Sequence, residues 1–171
     1  AIIKKTADDF LNHFPSGKRI DVYPLMNKLA FEIVINSLFN VTMPLEDQRQ
    51  LSDFIREVQE FVIKEVRQPH KNWWFRISGE VNKNLKKAEN ARRIIKRMIL
   101  ERKTAKEKFN DLLDMLLDAR YEDNGEPMHD DQVIDEILIL LIAGHETTAN
   151  ALAWTLYLLA RHPNELAALR A

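Results

Sequence analysis

The segment from about Asp130 to Arg161 constrains the fold more than any other part of the sequence. Apolar residues fill it on both sides of a short polar stretch. Asp130 and Asp131 are both suitable N-cap residues, and about 30 residues at 1.5 Å rise give a helix roughly 45 Å long, enough to cross a whole domain. Because the run from Ile137 to Ile142 is apolar on every side, we expect this part of the helix to be buried.

The rest of the chain also favours helices. The 171 residues include only 4 Gly and 6 Pro, too few breakers for the turns of a barrel or sandwich. Apolar residues recur at helical spacing in five earlier segments. A short extended piece is expected around Ile20, Val22 and Tyr23, with loops at Trp73 to Phe75 and Asn124 to Pro127. We therefore predict an all-α fold with one long central helix at about 131–161, in a single partial domain over residues 1–171.

Composition limits the function classes. The chain has no cysteine, which excludes disulfides, thiolate metal sites and cysteine nucleophiles. Net charge is −1, and the basic residues between Asn82 and Lys108 ring an amphipathic helix without interleaved aromatics, so we expect no nucleic-acid partner. The longest purely apolar run, Ile137 to Ala143, is shorter than a membrane span, so we expect no membrane segment here. Localisation is left open.

The middle of the long segment breaks the rules for a core helix. It reads Ala143-Gly144-His145-Glu146-Thr147-Thr148-Ala149-Asn150. A glycine costs about 1 kcal/mol against alanine in a helix, and an unpaired buried glutamate costs several. Such breaches tend to mark functional or strained sites.

At 100° per residue this stretch forms a stripe of small side chains, made of Gly144, Thr147 and Ala151 below Leu140 and flanked by Ala143 and Thr148. Something flat or large, or a neighbouring backbone, is expected against it. The Thr147 hydroxyl can reach back to the Ala143 carbonyl. Glu146 lies beside it, and an acid next to an alcohol in a dry helix can relay protons.

Structural alternatives stay open. Thr147 and Thr148 could be satisfied core threonines, Glu146 a buried carboxylate paired with a cation, and Gly144 the mark of a tight helix crossing. A zinc site of the His-Glu-x-x-His type is excluded, because Ala149 stands where the second histidine belongs.

Residues Ala143 to Thr148 resemble the Ala/Gly-Gly-x-Asp/Glu-Thr-Thr/Ser signature of the cytochromes P-450, the haem-thiolate monooxygenases. That pattern arises by chance in about one chain in a thousand of this length. The approach through Asn124-Gly125-Glu126-Pro127 and the following His162-Pro163 are also similar to the family. In the family, the string lies on the central helix across the distal face of the haem.

The resemblance implies roles for these residues. Thr147 would hydrogen-bond bound oxygen and help deliver protons, and Glu146 would be its acidic partner. The residues implied to contact the haem b cofactor, dioxygen or the substrate are Leu140, Ala143, Gly144, Thr147 and Thr148. The partners implied are O₂, an apolar small-molecule substrate and a reductase or ferredoxin-type donor that passes electrons from NAD(P)H.

The family's axial cysteine is absent from this chain, so no metal ligand is expected here. We expect the chain to be the middle portion of a cytochrome P-450 catalytic domain, inactive by itself. The alternative is a non-catalytic all-α bundle that binds a ligand or regulates. The third and fourth helices, with the Trp73-Trp74 loop, would be the mobile roof of the substrate channel.

The absent cysteine generates a first prediction. When the 171-residue chain is reduced and treated with carbon monoxide in the presence of haem, its absorption spectrum should lack the red-shifted band, because that band needs sulfur opposite the carbon monoxide. Histidine-ligated haem gives a different band and serves as the reference. A thiolate-type band would contradict the prediction.

Overall fold

The computed structural model describes residues 2–15, 17, 19–41, 43–105 and 107–170. Within these ranges it has eight α-helices, one 3₁₀ turn at Pro69–Lys71 and no β-strand. The helices are α1 (Ile2–Asn12), α2 (Val22–Leu38), α3 (Leu45–Arg67), α4 (Asn72–Ile77), α5 (Glu80–Thr104), α6 (Leu112–Asp118), α7 (Asp130–Arg161) and α8 (Pro163–Arg170). The all-α prediction is confirmed.

Backbone contacts divide the chain into two compact units. One consists of Ala1–Asn40 and Leu138–Ala171, and the other is Val41–Ile137. The single domain over 1–171 stays a prediction.

The first unit holds α1, α2, most of α7 and α8. Its α2 begins at Val22 because the Asp21 side chain caps it, accepting a 3.1 Å hydrogen bond from the backbone N–H of Tyr23. The extended piece expected at Val22 and Tyr23 is therefore wrong. Met26, Leu29 and Ala30 of α2 form a buried apolar cluster with Ala149 of α7.

The second unit packs α3, α4 and α5 around an apolar core. Residues 73–75, expected as a loop, lie instead in the short helix α4. Only Phe75 of the three is buried, edge-on to Phe61 with 5.9 Å between ring centroids. Trp73 and Trp74 are 62% and 52% exposed. The helix thus packs through one aromatic ring and turns the other two outward.

The expected loop between α6 and α7 is confirmed. It closes through one antiparallel bridge between Arg120 and Pro127. The backbone N–H of Tyr121 donates to the Glu126 carbonyl at 2.9 Å. Gly125 has φ 71°, the left-handed conformation that glycine adopts most easily.

The long helix α7 is continuous over 32 residues, as predicted. Its expected burial on every side is wrong, since Ile139 is 58% exposed and Ala143 is also exposed. Within the described part of the chain, neighbouring helices cover one face of α7 only. The helix is long and apolar enough to cross a membrane by length and composition, a test that core helices of soluble proteins also pass.

A buried ionic cluster joins the end of α5 to the start of α6. The Arg102 guanidinium donates to both oxygens of Asp111 at 2.7 and 2.8 Å and to Asp114 at 2.8 Å. Asp114 also accepts the backbone N–H groups of Phe109 at 2.6 Å and Asn110 at 2.8 Å. Burial opposes ionisation of Asp114, but the hydrogen bonds from Arg102 and the two amides outweigh it, so its pKa lies below the usual value.

This cluster generates a pH-dependent prediction. A carboxylate whose pKa is lowered by folding stabilises the protein above its unfolded pKa, and this stabilisation is lost as pH falls through the folded pKa. In the complete protein, Asp114→Asn should therefore lower the free energy of unfolding by about 1–3 kcal/mol at pH 7. The difference in unfolding free energy between wild type and Asp114→Asn should keep its full value at about pH 5 and become smaller below about pH 4. Urea unfolding at several pH values measures it.

The matched control is Asp118→Asn, which removes one carboxylate of an ion pair with Lys108 whose side chains are both more than half exposed. Exposed pairs contribute little, so this change should alter stability by less than about 1 kcal/mol. A loss at Asp114 that does not depend on pH, or that equals the control, would show that the buried ionic cluster is not the cause.

Candidate functional site

The candidate site lies on α7 within the first unit, where α2 packs along one side of the helix. Later residues of α7 contact earlier residues of α2. Val34 lies against Gly144, and Phe31, one turn earlier in α2, lies against His145. The cluster around Ala149 continues the contact one turn further along α7. The two helices therefore pack side by side in opposite senses, and α2 determines which face of α7 is buried.

Gly144 of α7 lies against the side chain of Val34 in α2. A Cβ added at this position would lie 3.3 Å from Cγ2 and 3.7 Å from Cγ1 of Val34. The shorter distance is tighter than an ordinary van der Waals contact. Of the alternatives left open by the sequence, the tight crossing at Gly144 is thus confirmed.

His145 is the buried polar residue of the polar stretch, only 2% exposed. Its Nδ1 lies 2.8 Å from the carbonyl oxygen of Leu141. Because a carbonyl only accepts hydrogen bonds, Nδ1 carries the hydrogen. The imidazole meets the Phe31 ring edge-on, with 5.4 Å between centroids and an interplanar angle of 89°. Sequence reasoning considered His145 only as a zinc ligand, although its spacing of four from Leu141 and Ala149 places it on one face with them.

The small-residue stripe lies on the other side of the helix. Its exposed members are Ala143, Thr147, Thr148 and Ala151, and Leu140 and Gly144 are half-buried at its margin. The predicted contact residues for the cofactor therefore share one open face of α7. Thr147 and Thr148 are not core threonines, because both are exposed.

The hydroxyls of this face bond back to their own helix. Thr147 Oγ1 donates to the Ala143 carbonyl at 2.7 Å, as predicted, and Thr148 Oγ1 donates to the Gly144 carbonyl at 2.7 Å. A hydroxyl has one hydrogen and two lone pairs. Since the hydrogen is used within the helix, each oxygen faces outward as an acceptor.

Glu146 lies between the two faces and is half-buried. Among the described residues its carboxylate has neither a hydrogen bond nor an ion pair, which removes the support for a structural pair with a cation. Its backbone carbonyl accepts a 3.1 Å hydrogen bond from the Asn150 amide.

No group of three or more His, Asp or Glu side chains that could hold a metal ion occurs in the described ranges. A zinc centre at His145 therefore gains no support.

The whole chain, residues 1–171, matches the family model for cytochrome P450. The chain belongs to the cytochrome P450 family. This result favours the monooxygenase interpretation over the non-catalytic bundle.

Two curated relatives are monooxygenases by name. The chain is 28% identical over 148 residues to the cyclooctat-9-en-7-ol 5-monooxygenase of Streptomyces melanosporofaciens, covering 86% of this chain and 32% of that protein. It is 42% identical over 81 residues to a self-sufficient cytochrome P450 monooxygenase of Aspergillus niger, covering 47% of this chain and 8% of that one. The chain thus spans about a third or less of these curated relatives.

Solved structures show the same fold. The chain superposes on the crystal structure of the heme domain of cytochrome P450DA with a TM-score of 0.79 and 23% identity, covering 97% of this chain and 36% of that one. A cyanobacterial family member with retinoic acid bound gives a TM-score of 0.74 at 22% identity, covering 95% of this chain and 35% of that one.

The family implies a haem, and the open face of α7 fits one side of such a group. A planar ring needs a surface without bulky projections, and the exposed residues of the predicted stripe, Ala143, Thr147, Thr148 and Ala151, are alanines and threonines. Asn150 is also exposed beside Ala143, and the exposed Trp154 follows further along the same side. The thiolate that would ligate the iron has no counterpart in these 171 residues, which lack cysteine. The residues present therefore fit the distal side of a haem only.

The close approach at Gly144 generates a prediction about packing. In the complete protein, Gly144→Val should lower the melting temperature, because branched methyls would overlap Val34, and overpacking costs about 1–3 kcal/mol. The double variant Gly144→Val with Val34→Ala should recover part of this loss by making room. Calorimetry of the single and double variants checks it. A double variant no more stable than Gly144→Val alone would argue against this contact.

Proposed function

We propose that this chain is the distal-face segment of a haem-dependent monooxygenase that inserts one oxygen atom of O₂ into an apolar organic substrate and reduces the other to water. The observation that carries the proposal is the open stripe of small residues on α7, with the outward-facing Thr147 oxygen within it. Membership of the cytochrome P450 family and the monooxygenase names of the relatives support the reaction class.

The residues proposed to line the cofactor face are Leu140, Ala143, Gly144, Thr147 and Thr148. Haem b, when bound, would supply the binding and reductive activation of dioxygen. The chain's part would be steric and electrostatic. Ala143 has only a methyl group and Gly144 has no side chain, so the proposal is that they would leave a shallow groove for a small diatomic molecule. The aliphatic Leu140 would border that groove and limit the access of bulk water.

Thr147 is the proposed proton-handling residue. Its hydrogen is committed to the Ala143 carbonyl at 2.7 Å, which orients the oxygen and leaves its lone pairs toward the groove. The Thr147 Oγ1 atom can accept a hydrogen bond from a water or other protonated group in the groove. It can pass a proton onward if the bond to the Ala143 carbonyl breaks. The hydroxyl therefore both holds and transfers a proton at one defined atom.

Glu146 is the proposed proton source. It is half-buried and lies one residue from Thr147, so its carboxylate is accessible to solvent on one side and adjacent to the groove on the other. A general acid of this kind typically contributes about 10²–10⁴-fold to a proton-transfer step.

The electrons are proposed to come ultimately from NAD(P)H. Their immediate donor would be a separate reductase or ferredoxin-type protein, or, as in the relatives named self-sufficient, a domain of the same protein. The substrate class is proposed only as an apolar organic molecule.

The proposal is tested by Thr147→Ala in the complete holoprotein. The variant should bind substrate nearly as well as wild type but divert reductant to peroxide, because proton delivery and not the resting pocket has been changed. Losing one oriented group of this type typically costs a few kcal/mol in the step it serves. Product, peroxide and consumed reductant are measured in parallel.

The matched control is Thr155→Ala. Thr155 is also an exposed threonine of α7, and its hydroxyl donates to the Ala151 carbonyl at the same 2.7 Å. It should leave the ratio of product to reductant unchanged. If Thr147→Ala keeps that ratio while its melting temperature falls as in the control, Thr147 is a packing residue.

Glu146→Gln gives an independent test of the relay. The amide keeps the shape of the side chain but cannot release a proton at neutral pH, so the ratio of product to reductant should fall as in Thr147→Ala. Lowered stability with an unchanged ratio would instead assign Glu146 a structural role.

A further inference from the structure

We propose that His145 is a positioning residue for this site. It fixes the rotation of α7 against α2 and so holds Thr147 and Glu146 in the direction required by the proposed chemistry. The inference rests on the proposed function, and it assigns a role to a residue on the opposite side of the helix from the cofactor face.

The first step of the argument is the buried ring contact. The imidazole is 2% exposed and meets Phe31 at 5.4 Å and 89°, the edge-to-face arrangement that aromatic pairs prefer. Phe31 is itself 2% exposed in α2. Neither ring can move without opening a cavity, so the pair fixes α7 relative to α2 at this turn.

The second step is the hydrogen bond that fixes the imidazole itself. Nδ1 donates to the Leu141 carbonyl of the preceding turn at 2.8 Å. This bond fixes the orientation of the imidazole ring. An aliphatic side chain of the same size has no such bond, so its orientation would not be fixed in this way. A buried imidazole in this position therefore specifies one geometry of the contact, whereas leucine would only fill the space.

The third step is the relation between His145 and the two proposed functional residues. Glu146 follows it by one residue and Thr147 by two, so they lie about 100° and 200° around the helix from the buried ring. Thr147 consequently points almost directly away from α2. Every rotation of the helix at His145 is transmitted to both residues through two peptide units of rigid helix.

The size of the effect follows from helix geometry. A side-chain atom lies about 5 Å from the helix axis, so a rotation of about 20° moves it by roughly 1.7 Å. Functional groups need to be held within about 0.5 Å of their productive position. A misplacement of about 1 Å can reduce a rate by about 10²-fold. Small rotations are thus sufficient to disturb proton delivery without unfolding the helix.

Gly144 adds a second restraint at the neighbouring position. Its close approach to Val34 prevents α7 from moving toward α2, and the His145–Phe31 pair opposes rotation. Two contacts on adjacent residues of α7 with two successive turns of α2 define both the distance and the rotation. The functional residues follow immediately after this restrained dipeptide.

The experiment compares His145→Leu, His145→Phe and Phe31→Leu in the complete holoprotein. His145→Leu and Phe31→Leu should each lower the ratio of product to reductant about 2–10-fold. His145→Phe retains a ring against Phe31 but lacks the Nδ1 hydrogen, and should give an intermediate ratio. Adding His145→Leu to Thr147→Ala should cause little further loss beyond that of Thr147→Ala alone, because no hydroxyl remains to be misplaced.

The control for general destabilisation is Leu113→Ala in α6. Leu113 is fully buried in the other unit, and it is not among the residues proposed to contact cofactor or substrate. This variant should lower the melting temperature at least as much as His145→Leu and leave the ratio of product to reductant unchanged.

Hydrogen exchange provides a readout that needs no turnover. Backbone amides of the peptide covering residues 141–149 should exchange about 2–10-fold faster in His145→Leu than in wild type, with an intermediate rate in His145→Phe. Leu113→Ala should not change the exchange of this peptide.

The outcomes separate the two proposals. If Thr147→Ala lowers the ratio of product to reductant but His145→Leu does not, the proposed function stands and the positioning role of His145 is wrong. Unchanged exchange in the 141–149 peptide of His145→Leu also overturns the positioning role. If Thr147→Ala itself leaves the ratio unchanged, the proposed function fails, and the role of His145 fails with it.

Discussion

The packing of α2 against one face of α7 is the interaction on which the site depends. That face presents Leu141, His145 and Ala149 at intervals of four residues, and all three are buried. Successive residues of an α-helix are 100° apart around its axis. The face that is buried therefore determines which residues are exposed on the opposite face. Once α2 covers the His145 side, Thr147 has to point away from it.

Hydrogen bonding within α7 turns that open face into a defined chemical surface. Thr147, Thr148 and Asn150 each donate to a backbone carbonyl four residues earlier. Exposed polar side chains normally sample several rotamers in water. Here each one is held by an intrahelical bond, and the two hydroxyls present acceptor oxygens.

The features that sequence reasoning predicted correctly are local ones. The length of α7 follows from the apolar residues on both sides of its polar stretch, and the Thr147 bond to the Ala143 carbonyl follows from helical spacing. The features it missed depend on partners distant in sequence. Burial of His145 requires Phe31 from α2, more than 100 residues earlier. The start of α2 was missed because the cap by Asp21 outweighs the β-favouring character of Val22.

The half-buried position of Glu146 is the remaining link between packing and chemistry. A carboxylate on the buried face beside His145 would be desolvated and would need a cation partner, whereas one on the fully open face beside Thr147 would be solvated like any surface acid. Glu146 occupies the intermediate direction, 100° from each neighbour. This direction results from the same helix rotation that buries His145. The contact with α2 thus leaves the side chain of Glu146 at the margin of the open face, between the buried His145 and the exposed Thr147.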